Sequence, residues 1–127
     1  MPLLTDVAVL VVEADTFVGL DIVLEIESMG GTAIGPFCSL VEAQGAMDEA
    51  PFAAALINAD IDEHVCDLFE RLEIMHVPHV AHSSSGIFAD NPSGNAPHFT
   101  RPIDSRLMLQ SLSCEVLRLE EVWPRRV

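Results

Sequence analysis

The sequence predicts one α/β domain in which helices cover both faces of a five-stranded parallel sheet. Short apolar runs alternate with segments of helical periodicity along the whole chain, the pattern that consecutive strand–helix units produce. The first run, Val7–Glu13, is apolar until its last residue, as expected of a strand buried on both faces. With 127 residues, half of them hydrophobic, the chain can bury a substantial core. No repeat or boundary interrupts it, so we expect residues 1–127 to form a single domain.

The first helix is predicted over Asp15–Met29, where apolar residues recur at helical spacing and acidic residues fall on the opposite side. Gly30 and Gly31 end it, because glycine is favoured directly after a helix terminus. The apolar residues form one wide stripe: Phe17, Val18, Leu20, Ile22, Leu24, Ile26 and Met29.

The middle of the chain repeats the alternation. Thr32–Phe37 is predicted as the second strand, and the second helix follows up to Glu49, with Ser39 as its capping residue. Phe52–Asn58 is the third strand. Asp62 then opens a third helix, whose apolar residues follow helical spacing: Val65, Leu68, Phe69 and Leu72.

The last third of the chain is less regular. Val77–Ser83 is predicted as the fourth strand, and the following stretch up to Pro97 contains two Gly, two Pro and two Asn. Such a stretch can hold at most a short helix before a loop. His98–Thr100 is a brief fifth strand, and Asp104 caps a long last helix.

The charge balance excludes two kinds of partner. Six basic residues, all of them Arg, stand against 20 acidic ones, which gives a net charge of −14. Binding to nucleic acid needs a basic stripe that displaces counterions, and an anionic membrane attracts basic segments. We therefore expect neither partner, whereas a basic protein would be attracted by electrostatic steering.

Hydropathy and cysteine content place the protein in the cytoplasm. No apolar stretch approaches the roughly 20 residues of a membrane helix, and the N-terminus lacks the features of a signal peptide. Cys38, Cys66 and Cys114 are odd in number and widely spaced, without a CxxC pair. We expect them to be buried free thiols.

Polar residues stand where the predicted strands end. Glu13 follows the first strand, Asn58 ends the third, Ser83 ends the fourth and Arg101 follows the fifth. In an open parallel sheet, sites form at the carboxyl ends of the strands. These four positions are therefore the candidate site.

Four motifs at these positions resemble, in order, those of response-regulator receiver domains: VLVVEAD, AALINADI, VPHVAHSSSG and FTRP. The resemblance covers nearly the whole chain. It implies the CheY-like, flavodoxin-like fold with strand order 2-1-3-4-5. It also implies a role in two-component or phosphorelay signalling in the cytoplasm. We expect no output domain in addition to the receiver-like one.

Two departures from the family remove carboxylates from the pocket. The resemblance implies a phospho-accepting Asp at the end of the third strand, but Asn58 has no anionic oxygen for that attack. It also implies two adjacent acids that help to hold magnesium, but only Glu13 is present and Ala14 follows it. Asp15 lies one residue beyond the position of the second acid. We therefore expect no phosphorylation at the usual position, no magnesium or other cofactor, and no catalytic residue.

Three further positions are altered more mildly. Ser83 keeps the hydroxyl that contacts the phosphoryl group in the family. Arg101 replaces a Lys, and it either pairs with Glu13 or extends to solvent. His98 occupies the position of the family's switching aromatic ring, so the usual rotamer switch is not expected.

The last helix is a candidate interface. Its heptad-spaced apolar residues are Leu109, Leu112, Val116, Leu119 and Trp123. Leu107, Cys114 and Leu117 lie off this seam and form part of a second apolar face. Because a helix that is apolar on two faces either is deeply buried or presents one face to a partner, the seam predicts a homodimer or partner contact, with ordinary core packing as the alternative.

The sequence thus predicts a non-enzymatic, stand-alone pseudo-receiver that binds a signalling protein such as a histidine kinase or another regulator. One alternative is phosphotransfer through Asp60, two residues beyond Asn58, or through another site. A second is a metal or thiol sensor that uses Cys66 and the histidines 64, 76, 79 and 82. His76, His79 and His82 cannot converge on one metal, because a spacing of three alternates the faces of an extended strand.

Overall fold

A computed structural model describes residues 3–84, 96–100, 102 and 104–122 of the chain. The strands are β1 (Ala8–Val12), β2 (Thr32–Phe37), β3 (Ala54–Asn58), β4 (His79–Ser83) and β5 (His98–Thr100). The helices in this part of the chain are α1 (Thr16–Ser28), α2 (Leu40–Glu49), α3 (Val65–Ile74) and α4 (Ser105–Val122). All strand pairs are parallel, in the order β2-β1-β3-β4-β5, which confirms the predicted fold class.

Hydrophobic residues pack on both faces of the sheet, because side chains alternate along each strand. One face carries Val9, Val11, Leu56 and Val80 against α1 and α4, and the other carries Leu10, Val12, Ala55, Ile57 and Ala81 against α2 and α3. The alternation also fixes the orientation of the strand ends. Glu13, Asn58 and His82 each stand two residues after a member of the first set, so they point toward the α1 and α4 side.

Two predicted helix caps, Ser39 and Asp104, are confirmed, and the structure adds a third at Asp15. The Asp15 carboxylate accepts hydrogen bonds from the N–H groups of Phe17 and Val18, at 2.9 and 3.1 Å. Ser39 Oγ caps α2 through the Glu42 N–H, and Asp104 accepts from the Leu107 N–H, both at 3.2 Å.

The third helix begins later than predicted. Asp62 Oδ1 accepts a hydrogen bond from the His64 N–H at 2.7 Å, so it stabilises a turn that precedes the helix. The helix itself starts at Val65, and His64 occupies the capping position without a side-chain hydrogen bond. The short polar side chain of Asp62 stabilises this local turn in place of a helical first turn.

The stripe predicted on the first helix divides into two faces. Ile22 and Ile26 are fully buried against the sheet. Phe17, Leu20 and Leu24 are 85%, 54% and 56% exposed, on the opposite side of α1. The helix therefore carries more apolar surface than the sheet covers.

The interface predicted on the last helix is wrong for three of its five residues. Leu109 and Leu112 are fully buried and Val116 is nearly so, all in the core between α4 and the sheet. The heptad-like spacing reflects core packing, which was the alternative. Leu119 is half-buried, and Trp123 lies outside the described residues. Leu107 and Leu117, off the seam, are more than half exposed.

The prediction of buried thiols is also wrong. Cys38, Cys66 and Cys114 are all exposed and unpaired with one another. Cys38 lies between β2 and α2, Cys66 lies on α3 and Cys114 lies on α4. Over the described residues, no helix combines the length and hydropathy needed to cross a membrane.

Candidate functional site

The sheet brings three polar side chains together at its carboxyl edge. Val12 of β1 pairs with Ile57 of β3, which places Glu13 beside Asn58, and Asn58 pairs with His82 of β4. All three side chains point to the same face, and all three residues are buried. We refer to Glu13, Asn58 and His82 as the Glu13 network.

Both carboxylate oxygens of Glu13 are engaged by groups of the protein. Asn58 Nδ2 donates a hydrogen bond to Glu13 Oε2 at 2.9 Å, and the Asp15 N–H donates to the same oxygen at 3.0 Å. His82 Nε2 lies 2.7 Å from Oε1. The Glu13 and His82 side chains have no exposed surface.

These contacts determine the ionisation of Glu13. Burial raises the pKa of the carboxyl group. The contact and charge of His82, the Asp15 N–H and the Asn58 amide together outweigh burial, and they hold the pKa of Glu13 below its ordinary value. Glu13 is therefore an anion whose charge is compensated by side chains and backbone.

The amide of Asn58 is suited to its place because it both donates and accepts. Its Nδ2 donates to Glu13, and its Oδ1 accepts a hydrogen bond from the Asp60 N–H at 2.9 Å. A carboxylate at position 58 could accept the second bond but could not make the first, since an ionised carboxylate has no donor. Beyond it, Asp60 Oδ2 accepts from the Ser84 N–H at 2.6 Å, which ties the loop after β3 to the end of β4.

Ser83 and His98 form a second pair at the same edge. Ser83 Oγ lies 2.8 Å from His98 Nε2, within hydrogen-bond distance, and the Ser83 side chain is buried. Burial of the imidazole and the charge of His82 lower the pKa of His98, and the carboxylate of Asp60 only partly opposes them. His98 is therefore held in its neutral form, in which one ring nitrogen donates and the other accepts.

Four of the residues predicted for the site lie together at the carboxyl edge: Glu13, Asn58, Ser83 and His98. Ala14 is exposed. Arg101 lies outside the described residues, so its predicted pair with Glu13 stays a prediction. In the part of the chain that the structure describes, the side chain facing Glu13 from β4 is His82.

His82 was considered from the sequence only as a possible metal ligand. Its position carried a usable signal, because it stands two residues after buried Val80 and so shares a face with Asn58. His79 points to the other face, where its ring lies 5.7 Å from that of Phe69 and its Nδ1 lies 2.8 Å from the Val77 carbonyl oxygen. The predicted divergence of these two histidines is confirmed. Across residues 3–84, 96–100 and the described part beyond them, no group of three His, Cys, Asp or Glu is arranged to hold a metal ion.

Magnesium, which the resemblance implies, would have to compete with contacts that Glu13 and Asn58 already make. Mg²⁺ requires near-octahedral oxygen ligands, commonly including one or two carboxylates. Glu13 already receives two hydrogen bonds and faces His82, and the neighbouring position 14 has only a methyl group. Asn58 offers the pocket its NH₂ group, which is not a magnesium ligand.

Comparison with known proteins reveals the fold. No protein-family model matches the chain and no curated protein matches it. A CheY-like response regulator receiver domain protein from Methanospirillum hungatei JF-1 has a TM-score of 0.77 at 14% identity, covering 93% of this chain and 99% of its own. A sensor protein from Polaromonas sp. JS666 has a TM-score of 0.73 at 18% identity, covering 88% and 97%. A CheY-like receiver domain from Methylobacillus flagellatus has the same TM-score and identity, covering 88% and 99%.

These similarities place the chain among proteins of the CheY-like flavodoxin fold, as the resemblance implied. Solved CheY-like response-regulator receiver domains are among its structural neighbours. At such low sequence identities, these similarities establish the fold alone. The function must therefore be argued from the side chains at the carboxyl edge.

Proposed function

We propose that this protein is an atypical receiver, a pseudo-receiver that is not phosphorylated at Asn58 and that signals by binding another protein. The observation that carries this proposal is the Glu13 network. A phospho-accepting receiver needs anionic oxygens that can reach a cation and a phosphoryl group. Here the corresponding side chains hydrogen-bond to one another.

Charge compensation explains how such a pocket is stable without metal. Two carboxylates about 5 Å apart repel by roughly 3 kcal/mol at an effective dielectric constant of 20. The amide at position 58 removes one of them and donates a hydrogen bond to the other, while His82 lies against the remaining oxygen. The protein's own groups take the place that a cation would have, so we propose that it binds no magnesium.

The partner in this proposal is a signalling protein such as a histidine kinase or another regulator. The fold and its similarity to receiver domains support this class of partner. No enzymatic step is assigned to the chain, since Asn58 has no nucleophilic oxygen.

Intact-mass spectrometry after incubation with acetyl phosphate and magnesium tests the proposal. We expect the wild-type mass to stay unchanged, while a phosphorylatable receiver treated in parallel gains about 80 Da. A stable adduct of that mass on the wild-type chain would contradict the proposal.

Phosphotransfer through Asp60 is the second candidate. Asp60 is exposed, it lies two residues beyond Asn58, and its Oδ2 reaches the Ser84 N–H. If an adduct forms, its loss in Asp60→Asn but not in Asp62→Asn would assign it to Asp60. Asp62 is the matched control because it is an exposed carboxylate of the same loop.

A further inference from the structure

A cavity of about 350 Å³ lies at the amino edge of the sheet, at the opposite ends of the strands from the Glu13 network. It is formed by the end of α3, the segment that leads into β4 and the C-terminal part of α4. Its volume falls at the lower end of the range of small-molecule sites, about 300–1,000 Å³. Apolar walls come from Leu72, Val77, Pro78, Ala96 and Leu119. The cavity therefore has the room and the apolar surface to hold a small organic molecule.

His79 is one of the residues around this cavity, and its imidazole is held in one orientation. The side chain is only 4% exposed, and its Nδ1 lies 2.8 Å from the Val77 carbonyl oxygen. Because a carbonyl oxygen can only accept, Nδ1 carries the hydrogen, and Nε2 of the neutral ring is an acceptor. Nε2 has no hydrogen-bond partner among the described residues. A buried acceptor without a partner is costly, so this nitrogen indicates a donor supplied by a ligand.

Glu73 places a second acceptor beside this nitrogen. Its Oε1 lies 3.7 Å from His79 Nε2, which is too far for a hydrogen bond between them. One donor group between two acceptors at this separation can reach both of them at about 2.8–3.0 Å. Arg118, which also lines the cavity, donates to the Glu115 carboxylate on the same helix and is thus engaged by another acid. The gap between Glu73 and His79 therefore favours a donor that also carries positive charge.

We propose that this cavity binds a small primary amine with an apolar body, whose ammonium group donates to His79 Nε2 and to Glu73 Oε1. An aliphatic amine is protonated at neutral pH, as Lys is, and offers three N–H donors. The apolar walls cover the rest of the molecule, and the net charge of −14 attracts cations to the protein. The proposal goes beyond the proposed function and is independent of it, because the site uses no residue of the Glu13 network.

Other ligands fit the cavity less well. A carboxylate would bring a second anion beside Glu73, and an alcohol has one donor and no charge. A metal ion needs several ligands at once, and in the described part of the chain no group of three His, Cys, Asp or Glu is arranged to hold one. The charge and the donors of the ligand are therefore the properties that an experiment should vary.

NMR titration of the whole isotope-labelled chain with phenethylamine tests the proposal. We expect saturable shifts of the Val77 and Leu119 amide signals, with a dissociation constant of about 1 mM, as is usual for so small a ligand. Phenethyl alcohol has the same apolar body without the charge, and phenylacetate has the opposite charge. Both should bind at least about tenfold more weakly than the amine.

Two variants and one matched control assign the binding to the two acceptors. His79→Phe keeps a ring of similar shape but removes the acceptor, so it should raise the dissociation constant of the amine at least about tenfold. Glu73→Gln removes the charge of a half-exposed side chain, so we expect a rise of about fivefold. Glu70→Gln is the control, because Glu70 is an exposed acid one turn earlier on α3 that does not line the cavity. It should change the dissociation constant less than about twofold.

Several outcomes would overturn the proposal: no saturable shifts at Val77 and Leu119, equal binding of phenethyl alcohol, or equal weakening by Glu70→Gln and Glu73→Gln. Zinc chloride should leave the same amide signals unchanged, and zinc-dependent shifts that His79→Phe abolishes would assign the cavity to a metal ion instead. Circular dichroism shows whether each variant is folded. If His79→Phe does not fold, the comparison of Glu73→Gln with Glu70→Gln decides, since both substitutions are at exposed positions.

Discussion

Glu13 is a carboxylate whose side chain has no exposed surface, and such a group is tolerated only where charge and donors are supplied to it. Its two oxygens receive the Asn58 amide, the Asp15 N–H and the imidazole of His82. Because these partners come from β1, β3 and β4, the network ties the central strands together at one edge. The residues of the network should therefore be energetically coupled rather than independent.

Replacing His82 with Leu should lower the free energy of unfolding by about 3–5 kcal/mol, because Glu13 would remain as a buried carboxylate without its partner. The double variant Glu13→Gln/His82→Leu should recover much of that loss. Urea unfolding at neutral pH gives the coupling energy from the double-mutant cycle, which we expect to exceed about 1 kcal/mol.

Glu73→Gln is the control, since Glu73 lies 3.7 Å from His79 but is half exposed. Its effect should be small. Additive single effects at Glu13 and His82 would contradict the network.

The lowered pKa of Glu13 predicts how stability changes in acid. A carboxyl group whose pKa is lower in the folded state stabilises the fold fully above its unfolded value, here 4.5. That contribution is lost as the pH falls through the lower pKa of the folded state. We expect the difference in unfolding free energy between the wild type and Glu13→Gln/His82→Leu to shift against the wild type as the pH falls from about 5.5 to below 4.5. Urea titrations over this range measure it, and a difference independent of pH would refute it.

At the scale of the helices, two glycines in similar sequence contexts differ in what surrounds them. A methyl group at Gly19 of α1 would lie 2.9 Å from Pro36 Cγ, which is too close, whereas nothing lies within 4 Å of the same atom at Gly45 of α2. Gly45→Ala should therefore stabilise the protein by about 0.5–1 kcal/mol through helix propensity. Gly19→Ala should destabilise it despite the same propensity gain, because α1 must move away from β2. Thermal melting of the two variants distinguishes these outcomes, and equal shifts would contradict the close packing of α1.

The elements of the fold differ in how well the sequence predicts them. The central strands were predicted correctly because buried parallel strands are uniformly apolar, and two caps because Ser39 and Asp104 are of types that bond locally. The exposed half of the α1 stripe could not be predicted, since helical periodicity does not say how much of a helix the sheet covers. The heptad spacing on α4 was likewise compatible with an interface and with a core, and the sheet uses it as core.

The candidate site was predicted where it depends on position and missed where it depends on pairing. Glu13, Asn58 and Ser83 follow from the ends of parallel strands, and His98 follows from the family resemblance. His82 was missed because its role requires the register between β3 and β4, which the sequence does not state. The exposed cysteines were missed for a related reason, since burial of a small residue on a helix depends on the neighbouring layer.

For the molecule as a whole, the excess of acidic residues opposes compaction. If each of the six basic residues pairs with one of the 20 acidic ones, 14 acids remain without a basic partner. The described pairs that involve Arg lie at the surface, as in Arg71–Asp48 at 2.6 Å and Arg106–Glu25 at 3.7 Å, so they contribute little. Repulsion among the remaining acids should therefore dominate the response of the fold to salt.

Sodium chloride should accordingly raise the melting temperature. Between about 0.01 M and 0.3 M salt, the screening length falls from about 30 Å to well under 10 Å, so repulsion between distant carboxylates is largely removed. Differential scanning fluorimetry should show a rise of several degrees, and the rise should shrink in the double variant Glu27→Lys/Asp67→Lys, whose exposed substitutions reduce the net negative charge.

Choline chloride should reproduce the effect, because screening does not depend on the cation. Magnesium chloride at matched ionic strength should add nothing beyond it. A selective effect of magnesium would indicate a specific site and would contradict a pocket whose charge the protein itself compensates.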